Sequence, residues 1–246
     1  MSNFPQPVQR AIDQSYNFKF GDYITRGFDL AKREPGLLIG YTLVFLLITV
    51  VLQIIPLVGP LVGSLIVTPC LTAGYYLFFA RIRQNRNREF SSFFEGFEYL
   101  SPLLIMTLIQ FGIFLAVLSI IGLLAYITGG GEMGGLQVAL FFVLGVPLVY
   151  LGIAWVLAPY LIVFYNMQAW AALEASRQIV SKDWVSFFLF ALAVGFIIIV
   201  PGALTLFIGL LFLVPAGIAM YFALFEDIVG LPGEANDDVI DHLITK

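Results

Sequence analysis

The chain has 246 residues, of which 60% are hydrophobic and only 11% are charged, and its mean hydropathy is +0.96. Soluble globular proteins average about 25% charged residues, so a soluble fold is excluded for this chain. A net charge of −4, without a basic patch, excludes nucleic acid as a partner. One cysteine and one histidine exclude disulfide frameworks and multi-histidine metal centres, and no cofactor is expected.

The first 21 residues are predicted to form a polar N-terminal arm. They contain Pro5 and Pro7 and lack the basic-then-apolar pattern of a signal peptide. Membrane insertion is therefore expected to use the first spanning helix, which stays in the mature protein.

Six apolar segments follow the arm, each close to the 20 or so residues that cross a hydrocarbon core of about 30 Å. The predicted fold class is therefore all-α, a polytopic membrane protein with six transmembrane helices. The fourth segment would reach about 45 Å if fully helical, so tilt, an overhang or a kink at Pro147 must absorb the excess. The segments are residues 36–55, 61–80, 102–127, 137–166, 184–200 and 203–225.

All twelve Lys and Arg residues lie on one side of these segments. Because cytoplasmic loops retain Lys and Arg, both termini are predicted to be cytoplasmic, in a multi-pass protein of the bacterial cytoplasmic (inner) membrane. Four arginines between the second and third segments are candidate contacts for anionic lipid headgroups, each worth about 1 kcal/mol near the surface. Ordinary retention of positive charge is the alternative explanation. These arginines are Arg81, Arg83, Arg86 and Arg88.

Short amphipathic stretches precede the first, third and fifth segments. We expect these elbow helices to lie in the membrane interface, with an apolar face toward the lipid. Each carries a small residue at a comparable place, followed by Phe or Arg. The candidate elbow residues are Gly27, Phe28, Gly96, Phe97, Ser176 and Arg177.

Segments two, four and six each carry a proline with a tyrosine six residues later. Together with the elbows, this pattern predicts a threefold elbow–span–span repeat, although chance is a competing explanation. The repeats would cover about residues 22–80, 90–166 and 170–226 of a membrane domain at 22–226. The pairs are Pro69 with Tyr75, Pro159 with Tyr165, and Pro215 with Tyr221.

A proline within a helix removes a backbone hydrogen bond and favours a kink, and in lipid the freed carbonyl needs another partner. Thr68 and Thr72 flank Pro69 and are candidates for that role. Two interpretations remain open. The three kinked helices line a cavity with the tyrosines facing one another, or the kinks only improve packing and the tyrosines anchor at the interface.

Polar groups within the segments are few, and none is charged away from the segment ends. Proton and ion relays use such charges, so their absence argues against ion transport. Gln110 is the best candidate for an interhelical hydrogen bond, worth about 0.6 kcal/mol. His242 lies in the acidic tail at 227–246, where a solvated helix end is a better interpretation than a metal ligand. The tail is predicted either to dock as a short amphipathic helix or to be disordered.

Three stretches resemble a broad group of uncharacterised bacterial inner-membrane proteins. This group includes the multi-helix membrane domain fused to some glycerophosphoryl diester phosphodiesterases. The resemblance covers roughly residues 20–230, but the phosphodiesterase domain itself is missing, so the resemblance implies no activity. The stretches are Phe-Glu-Gly-Phe at 94–97 with 100–104, residues 170–177 with Val180 and Trp184, and residues 221–230.

These patterns predict a non-catalytic integral membrane protein that acts as an accessory or scaffold subunit or organises lipid. Membrane lipids and other membrane proteins, or a second copy of the chain, are the expected partners. The alternative is a transporter or exporter of a hydrophobic or lipid-like substrate, gated by the Pro-kinked helices. A membrane enzyme, the third hypothesis, would need polar groups to converge at the cytoplasmic face, such as Glu174, Arg177, Asp183, Glu226 and Asp227.

Overall fold

The computed structural model describes residues 4–127 and 135–233, and within these ranges the regular structure is helical, without strands. Six helical segments are long and apolar enough to cross a membrane. The predicted all-α, six-span fold is thereby confirmed. Part of the outer loop and most of the acidic tail, including its predicted helix and His242, lie outside the described residues.

Four of the six spans consist of a single long helix, whereas the second and fourth are interrupted. A π-helical turn, Gly63–Val67, joins α4 to α5, and residues 155–157 separate α7 from α8. Helices of the 3-10 type cover Phe90–Tyr99 and Ser181–Asp183. The α-helices are α1 (Gln6–Asp13), α2 (Phe20–Arg33), α3 (Pro35–Gln53), α4 (Val58–Val62), α5 (Thr68–Arg83), α6 (Leu100–Ile127), α7 (Gly135–Ala154), α8 (Ala158–Tyr165), α9 (Ala169–Val180), α10 (Trp184–Leu204) and α11 (Leu210–Ile228).

The N-terminal arm contains a helix that sequence reasoning did not predict. Val8 and Ala11 of α1 are buried, and α1 packs against α9. Lys182 Nζ donates hydrogen bonds to the carbonyl oxygens of Ala11 and Gln14, at 3.2 and 2.8 Å. The arm is therefore fastened to the third elbow.

Each elbow helix packs against a Pro-bearing span. For the second and third elbows this is the span just before them in the chain, and for the first elbow it is the sixth span. The elbow helix α2 packs along α11, the 3-10 helix Phe90–Tyr99 packs along α5, and α9 packs against α8 and α7. Because α11 comes last in the chain and α2 comes near its start, these three contacts close a ring. The apolar face of α2 is covered largely by protein, and its buried residues are Tyr23, Gly27, Leu30 and Ala31.

The first and third elbows join their spans through residues with nearly the same backbone dihedral angles. Glu34 has φ −138° and ψ 58°, and Asp183 has φ −142° and ψ 50°. Each of these acidic residues lies seven positions after the small elbow residue, Gly27 or Ser176. The second elbow instead runs into α6 through Leu100 in helical geometry.

The tightly packed part of the bundle is the end where the elbow helices lie, which we call the charged face. In α3 the buried residues Leu38, Tyr41 and Thr42 lie near this face, whereas Val50 and Ile54 at the opposite end are exposed. The described residues at that end carry no charge, and we call it the uncharged end. The same gradient runs along α10, from buried Phe187, Phe190 and Val194 to exposed Phe196 and Ile199.

Candidate functional site at the charged face

Glu226, in the last turn of α11, is a carboxylate buried between two arginines. Its side chain is only 5% exposed, whereas Arg26 and Arg83 are 29% and 40% exposed. Arg26 of α2 donates to one carboxylate oxygen, and Arg83 at the end of α5 donates to the other. A buried carboxylate is unfavourable unless it is paired, and two guanidinium groups provide that pairing. The cluster joins three elements at one point.

Asp227, the next residue, makes a second set of contacts with the start of the first elbow. Its two carboxylate oxygens accept hydrogen bonds from Lys19 Nζ and the Tyr23 hydroxyl, each at 2.8 Å. Burial, aided by the hydrogen bond to Asp227, raises the pKa of Tyr23 above its ordinary value. Tyr23 therefore remains a hydrogen-bond donor well into the alkaline range.

A cavity of about 340 Å³ lies beside Glu226 and Asp227, between α1 and the chain that follows α11. Arg10 and Tyr16 line it, and the Tyr16 hydroxyl donates to the carbonyl oxygen of Ile179 at 2.8 Å. Burial, and then the charge of Asp183, raises the pKa of Tyr16. Within the described ranges, no group of three or more His, Cys, Asp or Glu side chains could hold a metal ion.

Three of the four arginines predicted to contact lipid form ion pairs within the protein. Arg86 alone of the four makes no ion pair with another described residue, and it lines a cavity of about 400 Å³ together with Gln84 and Tyr99. Lipid contact stays a prediction, and it is now centred on Arg86. The ion pairs are Arg81–Glu95, Arg83–Glu226 and Arg88–Glu34.

Gly27 and Gly96 lie where two elbow helices approach their spans most closely. A Cβ atom on Gly27 would come within 2.6 Å of the backbone of Met220 in α11. One on Gly96 would come within 2.1 Å of the Cys70 carbonyl oxygen in α5. Carbon atoms normally pack at about 3.5–4.0 Å, so only glycine permits either contact.

Ser176, the third small elbow residue, bridges the interruption in the fourth span. Its hydroxyl donates to the carbonyl oxygen of Ala154 at 2.7 Å and accepts from the amide of Leu157 at 3.1 Å. These backbone groups flank the break between α7 and α8, just before Pro159. The hydroxyl thus supplies hydrogen bonds that the interrupted helix cannot make itself. Helix α7 is continuous through Pro147, so the fourth span is interrupted at residues 155–157 and not at that proline.

Pro69 follows the π-helical turn and has no amide N–H to donate to the carbonyl of Leu65, four residues earlier. The Thr107 hydroxyl of α6 lies 2.9 Å from this carbonyl oxygen, and 3.1 and 3.0 Å from the carbonyl oxygens of Leu103 and Leu104 in its own helix, so these three acceptors share its proton. Thr72, one of the two predicted candidates, does not fill this role, because its hydroxyl donates to the carbonyl of Thr68 at 2.7 Å. The third proline, Pro215, lies inside the continuous helix α11.

The three predicted tyrosines make different polar and ring contacts. Tyr75 is buried and its hydroxyl hydrogen-bonds that of Thr42 at 2.7 Å. The Tyr165 hydroxyl donates to the carbonyl of Gly230 at 3.2 Å, and Tyr221 packs edge-on against Phe190. The middle of the bundle is filled by other rings. Tyr160 stacks on Tyr76 at 3.9 Å and on Phe225 at 5.1 Å between ring centroids.

The remaining elbow residues lie at the surface of the charged face. Phe28 is half-buried, with Lys32 Nζ 5.9 Å from its ring centroid, and Phe97 is exposed. Arg177 donates to both carboxylate oxygens of Glu174, at 2.9 and 2.6 Å. The polar groups named for the enzyme hypothesis therefore belong to separate clusters, one within α9 and one at the end of α11.

Sequence reasoning missed the ion cluster because its members are far apart in the chain. Arg26 and Glu226 are 200 residues apart, and Arg83 and Glu226 are 143 apart. The available signal was an acidic residue placed directly after an apolar helical run, where burial demands a partner. Nothing in the sequence identified that partner.

Comparison with known proteins identified no relative of this chain. No family model, no curated protein and no solved structure matches this chain. The functional argument therefore depends on the geometry of the described residues.

Proposed function

We propose that this protein is a non-catalytic scaffold or accessory subunit of the cytoplasmic membrane, with its charged face and both termini in the cytoplasm. The one-sided distribution of Lys and Arg supports this orientation. The packing of each elbow on a Pro-bearing span supports the threefold repeat. Kinship with the phosphodiesterase-linked membrane domains remains a proposal consistent with this architecture.

The single observation that carries the scaffold proposal is the character of the two short turns at the uncharged end. Leu57 and Leu206 are 82% and 81% exposed, and Phe207 beside Leu206 is also exposed. All three have positive φ, at 64°, 50° and 69°, and Leu57, whose ψ is −55°, forms a γ-turn in which the Val58 amide donates to the Pro56 carbonyl oxygen at 2.7 Å. Positive φ costs a bulky residue about 1–2 kcal/mol. Large apolar side chains held outward at this cost are typical of a surface that another molecule covers.

The transporter alternative has one supporting observation, the interruption of two spans just before Pro69 and Pro159. Such interruptions are common at hinges and functional sites. Against it, the ring of Tyr160 on α8 stacks on those of Tyr76 on α5 and Phe225 on α11, so the three Pro-bearing spans are packed together through buried rings. If transport occurs, replacing Pro69, Pro159 and Pro215 together with alanine should abolish substrate flux while the protein still folds. Unchanged flux would eliminate this alternative.

The scaffold proposal is tested by placing a photo-crosslinking amino acid at Leu57 or Leu206 in native membranes. We expect a discrete crosslinked complex from each position and none from Phe196, an exposed apolar residue of α10. The complex should also survive mild solubilisation. A monodisperse monomer that copurifies with nothing, and forms no crosslink at either turn, would overturn the proposal.

Asparagine variants separate binding from folding. Asparagine tolerates left-handed geometry, so Leu206→Asn should relieve strain and leave the monomer at least as stable. Leu57→Asn changes an exposed side chain and should leave the monomer folded. Both should weaken the complex because a polar amide replaces the apolar contact. A complex that is unaffected by the double substitution would show that the turns do not form the interface.

A further inference from the structure

A groove of about 430 Å³ opens between α6 and the fourth span. Apolar side chains form most of its wall, and Gly152 contributes open space, since a Cβ atom there would meet nothing within 4 Å. The charged-face cluster lies elsewhere, so the groove is a separate feature. Its other lining residues include Gln110, Phe114, Leu148, Val149 and Trp155.

Two polar side chains line this apolar groove without a hydrogen-bond partner among the described residues. The Gln110 amide and the Trp155 indole N–H are half-buried, and neither forms a hydrogen bond with another residue of the described ranges. A polar group in a lipid environment without a hydrogen bond is unfavourable by several kcal/mol. A ligand that accepts hydrogen bonds would satisfy both groups.

The depth of the groove restricts the ligand. Gln110 lies ten residues after the start of α6, and Trp155 lies ten residues before the end of α8. At 1.5 Å per helical residue, both are about 15 Å from the charged face, close to the middle of a 30 Å hydrocarbon core. A charged headgroup is strongly disfavoured at that depth.

We propose that this groove binds a neutral lipid whose polar group is a carbonyl, such as an isoprenoid quinone. The amide and indole N–H groups would donate to the carbonyl oxygen, and the apolar wall would hold the chain. A neutral carbonyl compound enters the bilayer midplane, whereas a phospholipid keeps its headgroup at the interface. The proposal needs only the six-span fold and does not rest on the scaffold function.

Trp155 provides the assay because a bound quinone quenches indole fluorescence. Trp170→Phe and Trp184→Phe leave Trp155 as the only tryptophan, and the protein is titrated in phosphatidylcholine nanodiscs with decylubiquinone. We expect saturable quenching. Gln110→Leu should raise the half-saturation concentration about fivefold, the effect of one hydrogen bond. Gln53→Leu, at the exposed end of α3, should leave the half-saturation concentration unchanged.

A second variant and a second compound keep the test decisive. Gly152→Leu fills the open space of the groove and should abolish saturable quenching, whether or not Gln110→Leu folds. Decylbenzene, which has a chain and ring but no carbonyl, should not displace decylubiquinone. Quenching that rises linearly and equally in every variant would overturn the site. Carbonyl recognition would be overturned if Gln110→Leu left the half-saturation concentration unchanged and decylbenzene displaced decylubiquinone.

Discussion

Replacing Gly27 with alanine tests whether the first elbow helix depends on close contact with α11. The new Cβ atom would lie 2.4 Å from Met220 Cγ and 2.6 Å from the backbone N and Cα atoms of Met220. The Met220 side chain can rotate away, but its backbone cannot. Helix α2 must therefore move about 1 Å away from α11 to restore a normal contact distance.

The expected magnitude follows from two opposing effects. Overpacking costs about 1–3 kcal/mol, and contact with backbone atoms places Gly27→Ala near the upper value. Alanine in a helix recovers about 0.5–1 kcal/mol relative to glycine. The net loss in the free energy of unfolding should therefore be about 2 kcal/mol. Gly21 lies in the same helix with nothing within 4 Å of its Cβ position, so Gly21→Ala should stabilise by about 0.5–1 kcal/mol.

The assay is unfolding by sodium dodecyl sulfate in dodecyl maltoside micelles, followed by far-ultraviolet circular dichroism. The two alanine variants should differ by about 3 kcal/mol, although each adds the same methyl group to the same helix. If Gly27→Ala is as stable as Gly21→Ala, the inferred packing of α2 against α11 is refuted.

Three further variants probe other contacts by the same unfolding assay. Thr107→Val should cost about 1–2 kcal/mol, because it removes the hydroxyl that lies within hydrogen-bond distance of the Leu65 carbonyl in lipid. Glu226→Gln should lower the free energy of unfolding by about 2 kcal/mol. Breaking a fully buried ion pair costs more, about 3–5 kcal/mol, but the arginines that pair with Glu226 are partly exposed to water. Above pH 10 the protein should lose stability, since unfolded tyrosines ionise there while Tyr16 holds its proton. Tyr16→Phe should reduce this loss.

Each of these three predictions can be refuted by a specific result. Thr72→Val is the matched control for Thr107→Val, since Thr72 bonds only within its own helix, and equal effects would refute the role of Thr107. Glu226→Gln as stable as the parent protein would show that the ion cluster contributes nothing. The Tyr16 contribution is fully present below pH 10 and declines above it, so an alkaline profile unchanged by Tyr16→Phe would contradict the pKa shift.

The spans were predictable because hydropathy and segment length are local properties of the chain. The predicted boundaries agree closely for α3 and α6, where the helix ends coincide with the loss of apolar residues. They differ at the sixth span, predicted from residue 203, because residues 206–208 are apolar yet lie in a turn at 205–209. Leu206 and Phe207 take left-handed geometry there, and a leucine or phenylalanine gives no local signal for such a turn.

The sequence by itself determined the membrane class, the six spans and the small residues of the elbows, since periodicity and composition depend on neighbouring positions. Only the tertiary structure decided which span each elbow contacts, that Thr107 contacts Leu65, and that Glu226 pairs with Arg26 and Arg83. Such pairings depend on the register between helices distant in the chain. Many oppositely charged or hydrogen-bonding residues are compatible in type, and spatial proximity alone selects among them.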